Sequence, residues 1–424
     1  MTRLFLYDDA RARGFEPFAL TRPVSELRAG AEIIRARWEL AAGERAEGFV
    51  GAAHLANFEE GDAPSAFTGS TIPAGSVVAN SRFVIGLDAA LVPGAGAYAS
   101  DGRVCAVRLS RDIDTALLAD GSVVLDDLAD ADKTSPLAGR WLMEVWDLVG
   151  DLSVQLAEDI ALLGPRFTGE GDEGREGGEN DGAGGAMENA TVIGRGGVYC
   201  ETGAVIEPFV VFDASEGPIL VRRGAHIASF TRIVGPCFIG RDAMIVGDAI
   251  RACSIGDVCK VRGEIAGSVM LGHSNKGHTG FVGSSYIGCW VNLGAGTTTS
   301  NLKNTYGGVQ VWTPTGLRNT GLQFLGTLIG DHAKTGIGTM LTTGCVVGAG
   351  ANIFGSSGAP KRVPPFAWGG GEPYDRFTVS KFIEVAERMM ARRHVTLGDR
   401  GRRQLEDSFA ASQTPSAPPR GGAE

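Results

Sequence analysis

From Val192 onward the chain repeats with a period of six residues. Apolar or small side chains recur at Val192, Val198, Ala204 and Val210, at Ile227, Ile233, Ile239 and Ile245, at Ile255 and Val261, at Ile287 and Leu293, and at Leu341, Val347 and Ile353. Glycine often follows directly, as in Ile239-Gly240, Ile255-Gly256, Ile287-Gly288 and Val347-Gly348. Neither an α-helix nor an alternating strand produces that spacing. A parallel β-helix does: three hexads close one triangular coil, the apolar residue points inward, and Gly or Asn takes the tight corner. Residues 190–371 therefore predict a solenoid of roughly nine coils. The period falters at 271–281 and at 304–325, where loops are expected to leave one face, as binding loops often do.

Ahead of the solenoid the pattern is that of an α/β domain, residues 1–168. RLFLYD (3–8) reads as a strand running into Asp8 and Asp9, followed by an Arg-rich loop and the helix AEIIRARWELAAG, stopped by Gly43. Further strands are expected at 76–79, 103–109 and 122–125, and WLMEVWDLVGDLSVQLAEDIALL (141–163) reads as one or two amphipathic helices closing the domain. Residues 169–189 are acidic and Gly-rich, with Glu170, Asp172, Glu173, Glu176, Glu179, Asp181 and Glu188 against Arg175 alone, and are expected to be a solvated linker. Past the solenoid, residues 372–398 contain an amphipathic stretch with Phe377, Phe382, Ile383, Val385, Ala386 and Met389 near one face, expected to cap the last coil. Residues 399–424 are expected to be a disordered tail.

Composition narrows the function. The net charge of −10 is concentrated in the linker, and no basic stripe points to nucleic acid. Seven cysteines without a CxxC pair fit reduced interior thiols of a cytoplasmic protein. MTRLFLYDDA has no apolar leader run, and no stretch is long and apolar enough to span a membrane.

The chemistry is concentrated in HSNKGHTGFVGSSYIGCWVNLGAGTTTSNLKN, His273 to Asn304. A metal site built from His273, His278 and His332 lacks the compact spacing and matched carboxylate or thiolate ligands of zinc centres. The spacing from His278 through Gly283 to Asn292, and on to Gly294-Ala295-Gly296, instead resembles the acetyltransferase half of the GlmU-like family, the bifunctional N-acetylglucosamine-1-phosphate uridyltransferase/glucosamine-1-phosphate N-acetyltransferases. The N-terminal PFALTRPVSELRAG resembles the divergent sugar nucleotidyltransferase-like members of that group. The resemblance implies a reduced Rossmann-like nucleotidyltransferase domain, a left-handed parallel β-helix and a homotrimer. It also implies transfer of an acetyl group from acetyl-CoA to an amino-sugar 1-phosphate.

On that resemblance His278 is the general base, a task suited to an imidazole at neutral pH, and Asn292 orients the amine or contacts the sugar. Gly294, Ala295 and Gly296 bring backbone amides to the acyl group. Lys276, Lys303 and Lys334 are candidates to neutralise the sugar phosphate, and Phe281 stands where the family has a sugar-contacting tyrosine. In the N-terminal domain Arg11, Arg13 and Arg22 are candidates for a nucleoside triphosphate, and Asp8 and Asp9 for Mg²⁺. The family's Gly-rich loop is missing there. Two other readings stay open: a nucleotidyltransferase whose solenoid only trimerises or regulates, and a non-catalytic binding platform.

Overall fold

The computed structural model describes residues 3–130, 133–167, 187–355 and 358–413. Two compact units emerge. One comprises the chain up to Val145, the turn Thr313–Gly316 and the stretch from Thr378 onward; the other comprises Trp146–Trp312 and Leu317–Phe377.

The first unit is built on a six-stranded mixed sheet. Leu4–Tyr7 pairs in parallel with Ala46–Val50 on one side and Val77–Asn80 on the other. Arg103–Arg108 runs antiparallel to both Val77–Asn80 and Ala97–Ser100, and Thr134–Pro136 closes that edge. Leu4–Tyr7 is fully buried, as a continuous apolar run in a covered sheet should be. The helix Ile34–Ala42 ends where expected: Gly43 adopts φ +69° and returns its N–H to the Leu40 carbonyl. The strand expected at 122–125 is absent; Leu125–Leu128 is a 3-10 turn instead. The Ala46–Val50 strand escaped the sequence reading because Glu47 and Gly48 dilute its apolar signal, whereas Glu47 is held at the edge by Arg3.

The second unit is the solenoid. Its second face stacks nine strands from Val198–Cys200 to Arg362–Val363, and its third face stacks nine in parallel from Val205–Ile206 to Ala367–Gly369. The hexad residues Ile227, Ile233, Ile245, Ile255, Val261 and Ile287 point inward as predicted; Phe212, Ile250 and Ile265 stack with Ile233 from the first face, and Ile219 and Cys237 join the core from the second. All seven cysteines are buried, Cys237, Cys253, Cys259 and Cys345 within this column.

Several boundaries differ from expectation. The helix Leu152–Phe167 does not close the N-terminal domain; it packs on the solenoid strands Val198–Cys200, Ile219–Val221 and Cys237–Ile239. Gly164 permits the close approach, since a Cβ there would meet the Tyr199 ring at 2.3 Å, and the Arg222 guanidinium stacks 3.7 Å from the centroid of Phe167. The last coil, which the C-terminal helix was expected to cap, ends at Ala367–Gly369. That edge is closed by Asp375–Arg376, paired antiparallel to Ala367–Gly369, with Phe377 packed on Trp368. The helix Val379–Ala391 belongs to the first unit, where it packs on a further helix, Asp399–Ala411. This second helix occupies most of the stretch expected to be disordered, because Leu405 and Gln404 find buried seats and Gln404 donates to the Thr21 carbonyl at 2.9 Å. Residues 414–424 of that tail, and 169–186 of the expected linker, lie outside the described residues.

The expected break at 271–281 is also not a loop. Val269–Gly272 and Asn275–Lys276 pair in register with the coils on either side. The break at 304–325 is real and carries the hairpin Gln310–Thr313/Gly316–Asn319. An inward residue in this stack cannot be trimmed without leaving a cavity. Ile245→Ala should lower the unfolding free energy by about 2–5 kcal/mol, against about 0.5 kcal/mol or less for its outward neighbour Met244→Ala, measured by urea denaturation.

Candidate active site

Each coil passes from its third face to its first around an outer corner, and three successive corners carry the motif residues. Gly277–Gly280, holding His278, is followed one coil on by Gly294–Thr297 and then by Gly336–Thr339. These corners are stitched directly: the Gly296 N–H donates to the Thr279 carbonyl at 2.9 Å, and the Gly338 N–H to the Ala295 carbonyl at 2.8 Å. His278 and the Gly294-Ala295-Gly296 turn, sixteen to eighteen residues apart in sequence, are thus brought to one edge.

The glycines have a packing reason as well. A Cβ on Gly294 would lie 2.6 Å from the backbone of Gly336, one on Gly280 would lie 2.2 Å from the Thr297 carbonyl oxygen, and Gly296 sits at φ +71°. The Gly294 and Gly296 amides are engaged between coils, the former with Thr335. The Ala295 N–H makes no hydrogen bond among the described residues.

Just before these corners the third face presents an outward polar row. Lys260, Asn275, Asn292, Lys334 and Asn352 occupy equivalent positions on successive coils. Asn275 donates its amide to the Asn292 Oδ1 at 2.8 Å, fixing that side chain. Lys334 donates to the His332 carbonyl at 2.9 Å and stays half-buried beside Asn292. Sequence reading missed Asn275, although its place one coil before Asn292 on the same outward position was the signal.

On the other side of the corner lies an open hollow of about 530 Å³, lined by Phe230, Asp248, Glu264, Thr279, Gly280 and Phe281 among others. Phe281 is half-buried there. Thr279, the residue after His278, lines this hollow, and His278 itself is exposed.

Two of the three candidate lysines are placed otherwise than expected. Lys276 is fully buried, at 0% exposure, so it cannot reach a phosphate. Burial lowers its pKa to about 8, with the charge of Asp248 acting in the opposite direction. Lys303 turns back to donate to the Gly308 carbonyl of its own loop. The histidines do not form a metal site: His273 and His332 stack on either face of Trp290 at a different corner from His278, and no metal-ligating cluster occurs among the described residues.

In the first unit the candidate nucleotide and metal residues are mostly engaged in the fold. Arg13 donates to the carbonyls of Asp8 (2.9 Å), Ala119 (2.7 Å) and Leu118 (3.2 Å). Arg22 is 4% exposed and paired with Glu60 at 2.6 Å. Arg11 is more open, 3.6 Å from Glu144. Asp9 accepts from Arg82 at 2.6–3.1 Å, from Asn80 and from the Ala12 amide. Burial alone would raise its pKa, but these partners, Arg82 above all, hold it below the usual carboxylate range. Asp8 is buried at 2% exposure, and burial pushes its pKa up to about 6 against the hydrogen bond from the Val24 amide. A carboxylate already clamped by an arginine, beside one that is 2% exposed and hydrogen-bonded to the Val24 amide, is a poor donor set for a hard cation, so the Mg²⁺ assignment to Asp8 and Asp9 does not fit these residues.

Residues 4–166 match the sugar nucleotidyl transferase family. Among curated relatives, the bifunctional protein GlmU of Jannaschia sp. (strain CCS1) is 34% identical over 166 residues, 38% of this chain and 32% of that protein. The GlmU protein of Synechococcus sp. (strain CC9311) is 32% identical over 145 residues, 33% of this chain and 28% of its own length. A bifunctional sugar-1-phosphate nucleotidylyltransferase/acetyltransferase of Sulfurisphaera tokodaii is 36% identical over 91 residues, 22% of this chain and 23% of that protein. The chain thus spans about a third or less of the length of these relatives. Among solved structures, a putative acetyltransferase of Bacillus cereus covers 53% of this chain and 99% of its own at 18% identity, with a TM-score of 0.20. The architecture is that of a nucleotidyltransferase-like α/β domain joined to a hexapeptide-repeat solenoid. Stretches of the chain are thus similar to GlmU proteins, and residues 4–166 to the sugar nucleotidyl transferase family. No helix among the described residues is long and apolar enough to cross a membrane.

The Asp8 environment gives a test of the buried pair. The folded chain keeps a proton on Asp8 between about pH 6 and pH 4, where the unfolded chain, at the ordinary 3.8, has released it. Its contribution to stability therefore falls as pH rises through that window. Asp8→Asn should remove this dependence and gain about 1–3 kcal/mol at neutral pH, read by urea unfolding at about pH 4.5 and pH 7.

Proposed function

We propose that the solenoid transfers an acetyl group from acetyl-CoA to the amine of an amino-sugar 1-phosphate, with His278 as general base. The observation that carries this reading is the stitching of the His278 corner to the Gly294–Gly296 corner, which puts an exposed imidazole and the unengaged Ala295 N–H along one edge. The amine nitrogen attacks the thioester carbonyl carbon, the C–S bond breaks, the thiolate leaves, and the amine proton passes to the His278 imidazole. The developing oxyanion needs a fixed donor, and the Ala295 amide suits that role because the corner holding it is pinned between coils. Asn292, held by Asn275, orients the acceptor, and Lys334, which stands beside it on the next coil, is the candidate lysine for the phosphate. The relative of Sulfurisphaera tokodaii, named as a bifunctional sugar-1-phosphate nucleotidylyltransferase/acetyltransferase, supports a place in sugar-nucleotide biosynthesis. A homotrimer agrees with the exposure of Ile337, at 82%, on the third of the stacked corners.

A second activity, nucleotidyl transfer to a sugar 1-phosphate in the first unit, is favoured by the family match over residues 4–166. With Arg13 and Arg22 engaged in the fold, Arg11 is the remaining candidate of the three for contact with a triphosphate.

The test is thiol release from acetyl-CoA with glucosamine 1-phosphate. His278→Ala should reduce kcat on the order of 10²–10⁴-fold with the solenoid intact by circular dichroism. Pyrophosphate release from a nucleoside triphosphate and a sugar 1-phosphate, unchanged in His278→Ala and accompanied by no thiol release in wild type, would favour a nucleotidyltransferase whose solenoid is only a platform.

A further inference from the structure

The inward positions of the third face read Ile227, Ile245, Val261, Lys276, Leu293, Thr335 and Ile353 on successive coils. A lysine therefore stands where its neighbours are aliphatic, with 0% exposure. An ammonium taken from water into an apolar column is costly unless its donors are satisfied. Two of its three donors are: Nζ donates to the His278 carbonyl and, at 2.8 Å, to the Thr279 carbonyl. It lies directly beneath the corner, since a Cβ on Gly280 would come within 3.1 Å of it. The Thr279 carbonyl also receives the Gly296 N–H. One oxygen thus joins the lysine to both corners of the candidate site.

We infer that Lys276 is a positioning residue for acyl transfer, an internal strut that gathers the carbonyls of His278 and Thr279 and sets the His278 corner against the Gly294–Gly296 turn. The inference rests on the acyl-transfer reading above. A strut reaching from inside the coil holds the corner without occupying the outer surface where substrates must sit. Its pKa of about 8 keeps it largely cationic near neutrality, so the two hydrogen bonds are charge-assisted. A longer-range reason for the polar residue is lacking: hexad packing alone is met by Val261 and Leu293 on either side.

The experiment compares the full-length wild type with Lys276→Met and Lys276→Gln, in thiol release and in thermal unfolding. Met fills the space without the charge, so its melting temperature should equal or exceed that of wild type. Its kcat should fall by about 10- to 100-fold with KM for the amine acceptor changed by less than about threefold, since a base displaced by about 1 Å loses rate rather than binding. Gln, which keeps an N–H donor on a shorter arm, should lie between. A kcat within about twofold of wild type in Lys276→Met overturns the inference. So does a loss of kcat only in step with a lowered melting temperature in both variants, which would make the lysine merely structural. Absence of thiol release in wild type would defeat the acyl-transfer reading itself, a distinct result, and would leave Lys276 no reaction to position.

Discussion

The structure depends on a single repeated contact: an aliphatic side chain stacked on the equivalent side chain of the next coil, beneath parallel backbone pairing on each face of the solenoid. That contact fixes the register. A slip of one residue would turn the inward stack outward, so each corner must fall at the same place on every coil. The catalytic candidates gain their geometry from this regularity. His278 and Gly294–Gly296 meet because they occupy the same corner on adjacent coils, and Asn275, Asn292 and Lys334 form a row because they occupy the same outward position.

The column also shows where the chain departs from pure packing. Between Val261 and Leu293 it accepts a lysine, and in the following coils it accepts Thr299 and Thr335 in place of aliphatic residues. These polar insertions lie under the stacked corners rather than at the ends of the solenoid. A buried polar group is tolerable when it is hydrogen-bonded, and Lys276, Thr297 and Thr335 each have a partner within the corner system. The rigid scaffold therefore meets the flexible requirements of a site through its interior.

Much of this was legible from the sequence. The six-residue period dictated the solenoid and the coil number, because only one architecture answers that spacing. The ungapped distance from His278 to Gly296 pointed to the corners that the coils stitch together. What was not legible followed from burial. A lysine in a motif reads as a surface cation, and only its parity within the hexad, inward like Val261 one coil earlier, distinguishes Lys276 from the outward Lys260 and Lys334. Arg13, Arg22 and Asp9 likewise read as ligands, yet their partners, the Leu118 and Ala119 carbonyls, Glu60 and Arg82, come from distant stretches that no local pattern reveals. The helices Leu152–Phe167 and Val379–Ala391 were found as helices, but amphipathicity says that a face is covered without saying by what.

The most direct measurement is product identification by mass spectrometry after incubating the full-length protein with acetyl-CoA carrying a labelled acetyl group and glucosamine 1-phosphate. The account predicts one labelled acetyl group on the sugar nitrogen, formed in step with free CoA. Unmodified amino sugar after prolonged incubation, with the thioester intact, would contradict it.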